Sequence, residues 1–358
     1  MTGFAMVRLK EVAERAGVSI MTVSKVMRDA PDISPATKLR VRAIAQQMGY
    51  VPDSVAQGLR TRATHLLGLL IPAASNPYYA RLVMGVEEKA HEMGYDVVLA
   101  QSFSQLDREE TAIRRFLGRR VEGLLVSPVY RLAPTAPVYD ELQRRGVPTV
   151  ILGSPAPFCS QFTHVGLHEA QGSYEATRHL LSLGHKRIAF FTGPPLAAWA
   201  QERLQGYRRA LREAEIELED HLLFTAGTSI EDGEMAASQM LRESLDATAV
   251  QAVNDLVAVG AVTMFLNQNI RIPAELSVVG FGDLLMSGFF RVPLTTVHQP
   301  KHRVGVAATR ALVSLIRGER VESERLPTEL VVRASTAVPR RSTTAAPAFP
   351  ARKPASPP

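Results

Sequence analysis

From Leu66 onward the chain alternates short, nearly continuous apolar runs with longer amphipathic stretches. LLGLLIP (66–72), DVVLAQ (96–101), GLLVSP (123–128) and TVILG (149–153) are such runs, with helical periodicity near 77–93, 106–119 and 137–145 between them. A strand that is apolar along its whole length belongs to a parallel sheet covered by helices on both faces. The alternation restarts after about residue 163. Helices are expected near 170–183, 201–214, 231–243 and 256–267, with strands at RIAFFTG, near 221–225, at AVQAV and at SVVGFG. The expected class is therefore α/β, with two doubly wound parallel sheets forming two lobes. A helix over 301–317 and a final strand near 327–333 complete the pattern.

The first 65 residues follow a different rule. LKEVAERAGVSIMTVSKVMRD (9–29) reads as two short helices around an Ala16-Gly17-Val18 turn, the pattern of a helix-turn-helix that reads DNA. Leu9, Val12 and Ala16 share a face, and Gly17 permits the left-handed turn. Ser19 is an N-cap candidate for the second helix. That helix buries Val23 and Val26 and turns Ile20, Met21, Thr22, Ser24 and Lys25 outward. Ser34-Pro35 restarts a third helix with apolar Leu39, Val41, Ile44, Ala45 and Met48, ended by Gly49. Asp53 caps a short segment, Ser54–Arg60, too short to be a stable helix alone in water.

Charge is unevenly placed. Residues 1–65 carry a net +5, residues 66–338 a net −3 and residues 339–358 a net +4. Excess base at the helix-turn-helix end suits a polyanionic partner. Cys159 is the single cysteine, so the chain forms no internal disulfide and no cysteine-rich zinc cluster. No secretory signal and no apolar run of membrane-spanning length is evident, which points to the cytoplasm and away from a membrane. There is no phosphate-binding Gly-Lys loop, no Gly-x-Ser-x-Gly elbow and no His-Glu-x-x-His pair, so neither catalysis, a cofactor nor a metal is expected. The Pro/Ala/Ser-rich 339–358 segment reads as a disordered basic tail.

The helix-turn-helix, the third helix and VPDSVAQGL (51–59) together resemble the lactose/galactose-repressor (LacI/GalR) family of bacterial transcription factors. The similarity continues through SNPYY, GHKRIAFFTGP, ERLQGYRRAL, VNDLVAVGAV, IPAELSVVGFGDL and PLTTVHQP, from Val7 to about Val338. It implies a headpiece over 7–50, a hinge over 51–65 and a periplasmic-binding-protein-like effector domain over 66–338. Lobe 1 is then expected at about 66–162 and 296–320, and lobe 2 at about 163–293 and 321–338. The resemblance implies a homodimer on double-stranded DNA at a pseudo-palindromic operator, repressing carbohydrate-related genes under allosteric control by a small sugar-like effector.

Carried over position by position, Ile20, Met21 and Lys25 read bases. Leu9, Ser19, Thr22, Ser24 and Ser34 join the DNA contacts. Leu59 is the wedge that opens the minor groove, with Ala56 and Arg60 beside it. For the effector the family positions are Asn76, Tyr78, His168, Arg203, Asn254, Asp255 and Asp283, with Trp199 as a stacking surface. Many relatives carry Asp where His168 and Gly282 stand, and an aromatic residue in place of Thr228. A cleft that loses carboxylates while keeping Arg203 is expected to favour an anion such as a sugar acid or sugar phosphate. The alternatives are a regulator answering to a protein partner, or a sugar-binding protein.

Overall fold

The computed structural model describes residues 7–51, 63–243 and 246–340. These form two compact units that divide between His65 and Leu66. Residues 52–62, with the expected wedge Leu59 and its neighbours Ala56 and Arg60, and the tail beyond 340 lie outside the described residues.

The first unit is three helices, α1 (Leu9–Ala16), α2 (Ile20–Met27) and α3 (Pro35–Gln47). Gly17 closes α1 at φ 63, the left-handed region glycine enters without penalty. Ser19 Oγ accepts the Thr22 N–H at 3.0 Å, and Ser34 Oγ accepts the Thr37 N–H at 3.3 Å, so each helix starts on the cap its sequence announces. Val12, Ala13, Ala16, Val23, Val26, Val41 and Ala45 form a closed core, with Leu9 packed against its edge. Leu39 differs from expectation: it is 74% exposed, because the inward stripe of α3 runs through Val41 and Ala45 and Leu39 lies two residues off it.

The second unit begins with β1 (Leu66–Ile71), α4 (Pro77–Glu92), β2 (Asp96–Gln101), α5 (Leu106–Gly118), β3 (Gly123–Val126), α6 (Pro137–Arg144), β4 (Thr149–Leu152) and β5 (Thr163–Leu167). It continues with α7 (Glu169–Ser182), β6 (Ile188–Thr192), α8 (Ala198–Glu213), β7 (Leu223–Thr225), α9 (Ile230–Glu243), β8 (Ala249–Ala252), α10 (Asp255–Asn267) and β9 (Ser277–Val279). It ends with β10 (Thr296–His298), α11 (Lys301–Ile316), β11 (Glu324–Leu326) and β12 (Glu329–Val331). One parallel sheet has the order β11-β5-β4-β3-β1-β2 and the other β7-β6-β8-β9. Helices pack against each sheet, and the inner strands β3, β4 and β8 are buried along their whole length, while the edge strand β2 is not.

Three expectations about the lobes need correction. The strand at Thr163–Leu167 opens no second lobe; it pairs with β4 and β11 and belongs to the first sheet. The second lobe therefore starts at α7. The strand expected near 327–333 is β12 (Glu329–Val331), and an unexpected strand, β11 (Glu324–Leu326), precedes it in a different sheet, the two parted at Pro327, which has no N–H to donate to a ladder. Thr296–His298 stays on the second lobe, pairing antiparallel with β12 and bridging to Val279 and Gly282 through Thr295 and His298.

The chain thus crosses between lobes three times, at 167–169, 298–301 and 326–329. After the second crossing, α11 returns to pack on α4 at backbone contact. A Cβ at Gly85 would stand 2.2 Å from the His302 carbonyl oxygen, and one at Gly305 2.3 Å from that of Leu82.

Candidate functional site

In the first unit, capping and core packing decide which face of α2 is free. With Val23 and Val26 committed inward, Ile20 (49% exposed) and Met21 (65%) project from the first turn. Apolar side chains held in solvent at a helix start suit contact with thymine methyls. Ser19 Oγ also meets Thr22 Oγ1 at 2.9 Å, so the two hydroxyls form one cap cluster. Lys25 lies a turn further on, ion-paired with Asp32, whose carboxyl it holds below the usual range. Ser24 lies beside Lys25, half-buried, and Arg28 Nε donates to its carbonyl at 3.1 Å.

In the second unit, a cavity of about 570 Å³ opens between the lobes. The first lobe contributes Asn76, Tyr78 and Tyr79 from the start of α4, and Ser127 and Tyr130 from the turn after β3. Asn76 caps α4, its Oδ1 accepting the Tyr78 N–H at 3.0 Å. The two tyrosine rings meet edge to face at 5.0 Å, and Tyr79 Oη bonds Ser127 Oγ at 3.0 Å. Burial pushes both phenols up, so they stay protonated donors. Tyr130 Oη donates to the Ser154 carbonyl at 2.7 Å.

The second lobe supplies Trp199 and Arg203 from α8, and Phe281 beyond β9. The guanidinium of Arg203 lies over Phe281 at 3.7 Å and Trp199 at 4.8 Å. Its Nε donates to Glu169 Oε2 at 2.8 Å and its Nη1 to the Val253 carbonyl at 2.6 Å. Glu169 opens α7 at the first crossing, and Gln299, from the second crossing, reaches its Oε1 at 3.5 Å. Aromatic faces with a few convergent polar groups fit a small molecule that is apolar on its faces and hydroxylated at its rim.

A family model described as bacterial regulatory proteins, lacI family, matches residues 8–53, and a periplasmic binding protein-like domain model matches residues 177–336. The ribose operon repressor of Escherichia coli (strain K12) is 33% identical over 321 residues, covering 90% of this chain and 96% of its own. The chain belongs to the LacI family of bacterial regulatory proteins. It is a DNA-binding regulator, as its first unit already argues. The transcriptional regulator DegA of Bacillus subtilis (strain 168) is 30% identical over 328 residues, covering 91% of this chain and 97% of its own.

Among solved structures, a CelR–cellobiose complex matches with TM-score 0.71 and 32% identity, covering 92% of this chain and 99% of its own. The lac repressor dimer bound to operator and the anti-inducer ONPF matches with TM-score 0.83 and 29% identity, covering 93% of this chain and 99% of its own.

The LacI-family positions carried over onto this chain separate into three groups. Asn76, Tyr78, Trp199 and Arg203 line the cavity. Asn254 and Asp255 reach it but are occupied. Asn254 Oδ1 caps α10 through the Val257 N–H at 2.8 Å, and its Nδ2 donates to the Thr228 carbonyl at 3.1 Å. Asp255 is fully buried, accepting from the Leu284 N–H (2.9 Å), Ser287 Oγ (2.7 Å) and Thr296 Oγ1 (2.5 Å). Burial raises its carboxyl against these bonds, and it acts as a bracket for the 281–288 turn.

His168 and Asp283 do not line the cavity. His168 is exposed, because it ends the crossing ahead of α7 and the next residue, Glu169, is the one that turns inward. Asp283 bonds Arg333 Nη2 at 2.6 Å and His298 Nδ1 at 2.9 Å outside the cavity lining. Burial opposes its ionisation, yet those two bonds hold its carboxyl below the ordinary value.

Glu169, Tyr79, Tyr130, Gln299, Ser127 and Phe281 are among the cavity residues that sequence reasoning missed. The available signal for Glu169 was an acid directly beside His168. Its capture of Arg203 removes the unopposed positive charge on which the expectation of an anionic effector rested.

Proposed function

We propose that this chain is a homodimeric repressor of carbohydrate-related genes, acting in the cytoplasm, whose affinity for a pseudo-palindromic operator changes when a small sugar-like molecule occupies the interlobe cleft. The observation that carries the reading is one chain holding both an exposed helix-turn-helix face and an interlobe cleft of about 570 Å³ lined by aromatic and hydroxyl groups. Ile20, Met21 and Lys25 read base edges, while Leu9, Ser19, Thr22, Ser24 and Ser34 position the backbone. Ala56, Leu59 and Arg60 form the minor-groove element. Asn76, Tyr78, Trp199 and Arg203 hold the effector, which is bound and not transformed.

Two apolar surfaces support dimerisation. Met84, Leu99, Phe103 and Leu106 are exposed around β2, one edge of the first sheet, and Leu285 and Phe289 are each 86% exposed on the second lobe. An open strand edge flanked by apolar side chains calls for a partner surface.

The test is sequencing of genomic fragments bound by the purified protein at moderate salt, with and without a panel of sugars and sugar acids. The expected result is a short palindrome near carbohydrate genes, gained or lost with one ligand. Binding that is blind to sequence and falls steeply with salt would overturn the reading.

A further inference from the structure

Every charged side chain that lines the cleft is already engaged by the protein. Three charged side chains line it: Glu169, Arg203 and Asp255. Asp255 is spent on the Leu284 N–H, Ser287 and Thr296. Arg203 and Glu169 are both almost fully buried and meet at 2.8 Å, and Arg203 gives a second donor to the Val253 carbonyl. No cation lining the cleft is left without a carboxylate among the described residues. An entering anion would meet Glu169 at the first crossing and would have to break a buried ion pair to reach the guanidinium. Breaking such a pair strands one charge in a low-dielectric site. A hydroxyl pays no such penalty, because the guanidinium fork has five N–H groups and the protein takes two of them.

We propose that Glu169 is a specificity-determining residue: by holding Arg203, it makes the cleft accept an uncharged polyhydroxylated molecule and refuse anions. The inference rests on the cleft being the effector site. Removing the carboxylate converts the same pocket into an anion site, since a buried guanidinium stacked between Phe281 and Trp199 is then left to pair bidentately with an oxyanion.

The experiment uses the full chain and inorganic phosphate as the probe, at constant ionic strength, read by Trp199 fluorescence and thermal stability. Wild type should show no saturable response. Glu169→Gln should bind phosphate about tenfold or more tightly than wild type, and the double variant Glu169→Gln with Arg203→Met should lose that gain. Glu169→Asp, which keeps the charge, should stay unresponsive. Should the Gln variant fail to fold, Glu169→Ser replaces it. A saturable wild-type response abolished by Arg203→Met overturns the proposal, as does a folded, uncharged variant at residue 169 that gains no phosphate affinity. Neither outcome depends on DNA. A chain that binds no operator would sink the regulatory reading and leave this result to stand or fall by itself.

Discussion

Asp255 is expected from the sequence to touch the effector, yet its surroundings make it a structural bracket, and the two roles separate on substitution. Asp255→Ala removes the acceptor for one buried backbone N–H and two buried hydroxyls. The hydroxyls can rotate toward other acceptors, but the Leu284 N–H cannot. An unsatisfied buried donor costs about 1–3 kcal/mol, and bonds to a charged acceptor about 1.5–3 kcal/mol each. Part of that loss is offset, because the variant no longer buries a carboxylate. The expected destabilisation is about 3–5 kcal/mol for Ala. For Asn it is about 1–2 kcal/mol, since Asn retains one acceptor oxygen and Thr296 can reverse its hydroxyl to accept from the new amide.

Trp199 is the single tryptophan and lies in the second unit, so urea unfolding followed by its fluorescence reports on that unit alone. The sign of the pH effect is fixed by the raised carboxyl. Unfolded chains release the proton first, so wild type is relatively favoured at acid pH and loses that advantage as pH rises from the unfolded toward the folded pKa. Asp255→Asn abolishes this slope. An unchanged unfolding midpoint for Asp255→Ala together with lost effector binding would refute the bracket and restore Asp255 as a ligand residue.

Gly85→Ala or Gly305→Ala should each destabilise the second unit by about 1–3 kcal/mol, because the new methyl meets a backbone carbonyl and not a yielding side chain, as urea midpoints would show. Asp283, held low by Arg333 and His298, contributes stability that is present above its unfolded pKa and lost as pH falls through its lower folded value. Asp283→Asn should flatten that acid limb in a pH series of thermal melts. Lys25→Ala should relax base preference at one position of each half-site by about 1–3 kcal/mol, measured by binding to a library of randomised operators. Uniform weakening across all sequences would instead make Lys25 a phosphate contact.

Much of the fold was legible because its signals are local. Ser19 and Ser34 mark helix starts through hydrogen bonds made within four residues, Pro35 does so through its fixed φ at the first helical position, and the apolar runs that become β1, β3 and β4 need no partner to be recognised. The site was less legible because its decisive contacts span long separations. Glu169 meets Arg203 across 34 residues and Gln299 across 130. His168 and Glu169 differ by one position, yet one faces solvent and the other the cavity, and that choice is set by where the chain crosses between lobes.

Sequence by itself determined the helix-turn-helix, the two α/β lobes and the family, since capping, periodicity and motif order are properties of neighbouring residues. Tertiary structure alone decided that β5 and β11 join the first sheet while β12 leaves it, that Asp255 and Asn254 are occupied by the protein, and that Arg203 carries its own counter-charge. Strand pairing, burial and ion pairing are properties of what the folded chain brings together. In this cleft those long-range contacts determine which side chains remain for a ligand.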